Sequence, residues 1–235
     1  MCLGTRMGAA LDTLVITPRP LADYVNMFRL TDEELCAGPI LDCPAGASPF
    51  GAQVRARGGT VVSVDPAYAL PRAELAAQVR SDMARLRVWV DGNMDEATWD
   101  KFGTPDSLMR WWDLAVDYFL HDYAEDQRYI AAALPTLPFP DKHFSLSLCS
   151  HLLFLYPNLM DFEAHLENIR ELVRVTSGET RIFPLVDTIS TPYPRFDELR
   201  AALLDHGVRT EIRKADCAYK GGGEDMLVCR REPAW

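Results

Sequence analysis

Ile40-Leu41-Asp42-Cys43-Pro44-Ala45-Gly46-Ala47-Ser48 runs from a short apolar strand into a tight turn and on to the start of a helix. The strand, Pro39 to Cys43, carries an acid at its end. Gly46 lets a ligand approach the backbone closely. Ser48 is a good N-cap, and Pro49 suits the first helical position, where its missing N–H costs nothing. Phe50 and Val54 share one helical face, and Gly58-Gly59 ends the helix. The β-branched run Thr60-Val61-Val62-Ser63-Val64 follows as a second strand and also ends on an acid, Asp65, 23 positions after Asp42. Strand, helix and strand at this spacing make a parallel βαβ crossover.

On the N-terminal side, Leu21 to Leu35 reads as one or two short helices, with Thr31 as a cap. On the C-terminal side, Leu75, Val79, Met83, Leu86 and Val90 recur at helical spacing. A further helix starts near Thr104-Pro105, with Leu108, Trp112, Ala115 and Phe119 on one face. This is more chain than a crossover needs, so residues 86–126 are expected to form a helical cap insertion. Strands are expected at Arg128 to Leu134, Phe144 to Cys149 and Thr180 to Val186. Asp161 caps a helix with Phe162, Leu166, Ile169 and Val173, and a helix with Phe196, Leu199 and Leu203 ends at Gly207. Two strands, Val208 to Ala215 and Asp225 to Arg231, close the chain. Alternating β and α with a terminal antiparallel hairpin predicts one α/β domain over residues 1–235, built on a doubly wound seven-stranded sheet.

In such sheets a ligand binds at the carboxyl ends of the strands. The helix N-terminus after Ser48 favours an anion such as a carboxylate, and Asp65 can accept both hydroxyl hydrogens of a ribose. A dinucleotide would set its pyrophosphate against the turn, normally on G-x-G-x-x-G. Here the turn has one glycine, and the Asp42 carboxylate would repel a diphosphate. S-adenosylmethionine has no phosphate and carries a sulfonium and an ammonium, so an acid beside it is favourable. A nicotinamide-dependent oxidoreductase is the weaker alternative. A donor-binding regulatory protein without turnover is a second one.

These residues resemble the class I S-adenosylmethionine-dependent methyltransferases, with the Rossmann-like fold of that class. The nearest group in flavour is similar to the quinone-biosynthesis C-methyltransferases. Two blocks carry the resemblance: Ile40 to Ser48 followed by Val61 to Asp65, and Leu137-Pro138-Phe139-Pro140-Asp141-Lys142-His143-Phe144 running on to His151. The resemblance implies that Asp42, Cys43, Pro44, Ala45, Gly46 and Ser48 surround the methionine part of the donor. It implies that Asp65, with Pro66 beside it, holds the ribose, and that Ser150 faces the donor near its methyl group. Helices over residues 21–36 would form a lid, from which Tyr24 or Arg29 reaches the donor carboxylate. The chain departs from the family where Pro44 and Ser48 replace two glycines. It departs again where Ala133 and Leu134 stand in place of an acid that binds the adenine amino group.

His151 follows the fourth strand and is the candidate general base, needed only if the acceptor loses a proton. The other reading of His151 is a hydrogen-bonded residue closing the strand end. His143 is expected to be exposed, and His121, His165 and His206 to lie on helix surfaces. Within the cap, Trp112 and Phe119 read as core, whereas Trp111, Tyr118 and Tyr123 are candidates to line an acceptor pocket. No N-P-P-Y or D-P-P-Y sequence follows the fourth strand; Asp65-Pro66-Ala67-Tyr68 stands elsewhere.

The 235 residues are 48% hydrophobic, with a formal net charge of −10. That charge disfavours a nucleic-acid partner. The six cysteines form no C-x-x-C pair, so zinc is not expected. Asp12 and Pro18-Arg19-Pro20 interrupt the only candidate leader, and no apolar run suits a bilayer. The reading is therefore a cytoplasmic enzyme, monomer or homodimer, using S-adenosylmethionine on a small-molecule or peptide acceptor. Methylation at oxygen or nitrogen is favoured, and neither a metal nor a membrane is involved.

Overall fold

The computed structural model describes residues 13–93, 103–124, 127–156, 158–216 and 223–232. The strands are β1 (Pro39–Asp42), β2 (Thr60–Val64), β3 (Tyr129–Ile130), β4 (Phe144–Ser150), β5 (Thr176–Phe183), β6 (Val208–Lys214) and β7 (Asp225–Arg231). They form a seven-stranded sheet in the order β3-β2-β1-β4-β5-β7-β6. The β1–β2, β1–β4, β2–β3 and β4–β5 pairs are parallel, and β7 runs antiparallel to β5 and β6. The order reverses between β1 and β4, which opens a crevice at their carboxyl ends. This is the doubly wound, Rossmann-like sheet with a C-terminal hairpin that the sequence implies.

Two helical layers follow from the strand period of two. Leu41, Cys149, Ile182, Leu227 and Cys229 face α6 (Phe162–Arg174) and α7 (Phe196–Asp205). Ile40, Leu148, Phe183, Met226 and Val228 face the opposite layer of α1 (Leu21–Phe28), α2 (Asp32–Cys36) and α3 (Phe50–Arg55). Phe144 joins the first layer although its parity matches Leu146, because the β4–β5 register shifts between them. Asp42 shares the parity of Ile40, and that places its side chain under α1.

A third cluster belongs to α4 (Arg72–Asn93) and α5 (Pro105–Asp122), which pack on Tyr68, Tyr129, Ala45 and Ala47. Thr104 caps α5, and all five apolar residues expected on α4 are buried. The insertion is thus a helix pair extending the first crossover; residues 94–102 and 125–126 of it lie outside the described part.

Three expectations need correction. β3 has only 2 residues, not the span Arg128 to Leu134, because Ala133 turns back to bridge Thr136. β5 runs from Thr176 to Phe183 and stops before Pro184, which has no N–H to continue a ladder. The helices at 21–36, expected as a lid, are packed into the core: Tyr24 stacks on Phe50, and Phe28 meets Phe183 edge-on. Among the described residues, no helix is long and apolar enough to cross a membrane.

Candidate functional site

The carboxyl ends of β1, β2 and β4 bring Asp42, Gly46, Asp65, Ser150 and His151 together. Asp42 is wholly buried, and its Oδ1 accepts the Tyr24 hydroxyl at 2.8 Å. Its Oδ2 is buried without a hydrogen-bond partner. Burial pushes the Asp42 carboxyl well above the usual range; the Tyr24 bond opposes this and the nearby Asp65 charge adds to it. Asp65 is also buried, and its pKa is raised by burial against two backbone hydrogen bonds. Its Oδ2 accepts Gly46 N–H and its Oδ1 accepts Ala67 N–H, each at 2.9 Å. The site therefore holds two neighbouring buried carboxyl groups that a cation would stabilise.

The turn itself carries no anion cradle. Cys43 N–H donates to Leu148 O, Ala45 N–H to Val64 O, Ala47 N–H to Thr17 O and Ser48 N–H to Ala45 O. Phe50 N–H goes to the Ser48 hydroxyl, but the N-cap of the helix that begins at Phe50 is Pro49 and not Ser48 as expected. Pro44 and Pro49 have no N–H to offer. The amides of the turn from Cys43 to Ser48 are thus engaged within the protein.

The acceptor for Ala47 comes from an extended strap, residues 13–20. Its Thr17 carbonyl stands 2.8 Å from where a Cβ on Gly46 would sit, and Gly46 has φ +56°. Ser48 Oγ donates to Arg19 O at 2.5 Å, and Ile16 N–H to Asp82 at 3.0 Å. The covering element over the turn is this strap rather than α1. Gly46→Ala is expected to lose roughly 1–2 kcal/mol from the left-handed backbone alone. Thermal unfolding should show this as a fall of roughly 2–8 °C in Tm; an unchanged midpoint would contradict the packing of the strap on the turn.

His151 closes β4 with φ +55°, a conformation in which a non-glycine residue is strained. Its Nδ1 lies 2.6 Å from Ser150 Oγ, and its ring meets Phe183 edge-on. Burial holds its pKa well below the ordinary value, and the positive charge of Arg19 lowers it further.

No family model matches the chain. It is 31% identical over 223 residues to the uncharacterized protein MJ0045 of Methanocaldococcus jannaschii, covering 94% of this chain and 98% of that one. The chain belongs to the family of that archaeal protein. Among solved structures, it is similar to magnesium protoporphyrin IX methyltransferase of Synechocystis PCC 6803, crystallised with bound SAH. The TM-score is 0.51 at 12% identity, covering 89% of this chain and 81% of the other. That likeness shows a methyltransferase-type fold.

Other candidate residues of this family member fall differently from expectation. Arg29 does not reach the site: it ends α1 with φ 51°, is exposed, and pairs with Asp216 at 3.4 Å. Tyr24 reaches the site but points its hydroxyl at Asp42, with its pKa raised by burial and by that carboxylate. Tyr123 is buried among Tyr68, Phe119 and Tyr129; it follows Phe119 by four residues, a spacing that suits the core. Trp111 and Tyr118 are exposed on the outer face of α5. Trp112 is buried in the core as expected, and its ring also lies beneath the guanidinium of Arg19. His165 is fully buried, stacked on Tyr193 at 4.4 Å, not a surface residue. Ala133 and Leu134 lie just beyond β3, and Pro66 opens a 3-10 turn beside Asp65. Cys43 is buried on the sheet face opposite Asp42, in the α6–α7 layer.

Proposed function

We propose that the protein transfers a methyl group from S-adenosylmethionine to a small-molecule or peptide acceptor, at oxygen or nitrogen. The observation that carries the reading is the unpartnered Asp42 oxygen beside Asp65 at the switch point of the sheet. Two desolvated carboxyl groups suit a ligand that is positively charged and lacks a diphosphate. The donor, when bound, supplies an electrophilic methyl carbon on its sulfonium. Asp42 favours the charged end of that molecule, Asp65 stands where a ribose is held, and Ala133 and Leu134 offer an apolar edge for a purine. The SAH-bound Synechocystis methyltransferase supports the same choice of donor.

His151 is neutral at pH 7, the form that can accept a proton. A depressed pKa makes it a weak base. That suffices when the acceptor proton becomes acidic as the new bond to carbon forms. The Ser150 hydroxyl on Nδ1 fixes the ring orientation.

The test is to incubate the protein with methyl-labelled donor and fractionated metabolite and peptide extracts, and to look for label leaving the donor. Label in an acceptor fraction is expected. Donor binding with no labelled product in any fraction would instead favour a regulatory protein without turnover. Once an acceptor is in hand, His151→Ala should lower kcat by about 10²-fold or more, with donor affinity unchanged. Unchanged turnover would remove His151 from the mechanism.

A further inference from the structure

Beside the two carboxyl groups the cleft holds a second set of unmet polar atoms, of opposite sign. Pro18-Arg19-Pro20 crosses the mouth with both prolines buried, and proline fixes the backbone on either side of Arg19. The Arg19 carbonyl is gripped by Ser48. The Arg19 guanidinium lies over the Trp112 ring, 5.1 Å from its centroid. Its Nε is buried without a hydrogen-bond partner, and so is the indole Nε1 of Trp112. Among the described residues, no carboxylate pairs with Arg19. Arg181, by contrast, is held by Glu34 and Glu179, and Arg55 pairs with Asp122.

Two buried N–H donors on touching side chains, one of them cationic, call for an acceptor that carries negative charge. Ser48, which holds the Arg19 carbonyl, belongs to the turn that follows Asp42, so Arg19 stands beside the candidate site. In a chain of net charge −10, a lone guanidinium here is a specific spot for an anion. The flat guanidinium presents a fork that matches a two-oxygen group, while the indole beneath it supplies a flat apolar wall.

We infer that Arg19 and Trp112 form a carboxylate-binding subsite of the cleft. This rests on the proposed methyl transfer only for the source of the carboxylate, which is either the acceptor or the amino-acid end of the donor.

The subsite is tested on the full chain by ligand-observed NMR with benzoate, using benzamide as the uncharged isostere. Benzoate should bind and benzamide should not. Arg19→Met should weaken benzoate at least tenfold, Arg19→Lys should retain part of the binding, and Trp112→Phe should weaken it. Unchanged thermal unfolding of the two Arg19 variants separates loss of the subsite from loss of fold. Calorimetry with S-adenosylhomocysteine and with 5′-methylthioadenosine, which lacks the amino acid, then assigns the source. A tenfold loss for Arg19→Met with the first compound alone assigns the donor carboxylate. No change with either, alongside lost benzoate binding, assigns the acceptor. Failure of wild-type protein to bind S-adenosylhomocysteine, with benzoate binding still dependent on Arg19, would retire the donor assignment and leave the subsite standing. The inference is overturned if Arg19→Met alters neither benzoate nor S-adenosylhomocysteine binding.

Discussion

Asp42→Asn should make the ligand-free protein more stable and a poorer donor binder. The amide keeps an oxygen for the Tyr24 hydroxyl but removes a buried, unpaired carboxyl group. Because the folded pKa of Asp42 is raised, the native state binds more protons than the unfolded chain between the ordinary carboxylate range and the raised value. The stability it contributes is present at low pH and is lost as pH rises through that window. The gain from the substitution should therefore be absent below the ordinary carboxylate range and level off above the raised value. Its size at the plateau is about 1–2 kcal/mol, as for other unpaired buried charges that are neutralised. Denaturant unfolding at several pH values measures it. The same change should weaken S-adenosylmethionine at least tenfold, about 1.4 kcal/mol, and S-adenosylhomocysteine less, since only the former carries a sulfonium. A destabilised variant with normal donor affinity would mean that Asp42 serves the fold alone.

Asp65→Ala should have the larger effect on stability. It strips the acceptor from Gly46 N–H and Ala67 N–H, both held at 2.9 Å by its two oxygens. An unmet buried N–H costs roughly 1–3 kcal/mol, so the loss is about 3 kcal/mol, or roughly 6–12 °C in Tm. Donor affinity should fall as well, but the alanine variant confounds a lost ribose contact with a collapsed turn. Asp65→Asn retains one acceptor and should lose about half as much stability, so affinity is better read on it. An alanine variant that melts like the wild type would show that the turn does not depend on Asp65.

These two residues also show what a sequence can reveal. The strand ends at Asp42 and Asp65 are marked by β-branched and apolar runs that stop on an acid. Gly46 is marked as the one glycine of the turn. The helix faces of α4 and α5 follow from spacing of three and four residues. What the chain does not advertise is contact made by backbone atoms. The strap acts through the carbonyls of Thr17 and Arg19, and any residue carries a carbonyl. Pro18-Arg19-Pro20 reads as an interruption, because its value lies in two fixed backbone angles and in the indole it meets across 93 positions of chain. His165 is hidden for a different reason. The buried face of α6 is wide enough to include His165 and Asn168 beside Leu166, Ile169 and Leu172, because it packs against the sheet, α7 and the Phe154–Tyr193 aromatic group at once. Arg29 fails for lack of reach: it caps its helix, and its side chain leaves toward Asp216.

Calorimetry of the full chain with S-adenosylmethionine and with NAD, repeated across pH, bears most directly on the claim that a buried acid pair selects a cationic, phosphate-free nucleoside. S-adenosylmethionine should bind, and more tightly as pH rises through the raised titration of Asp42, while NAD gives no heat. Absence of S-adenosylmethionine binding at every pH, or NAD binding of comparable strength, would contradict it.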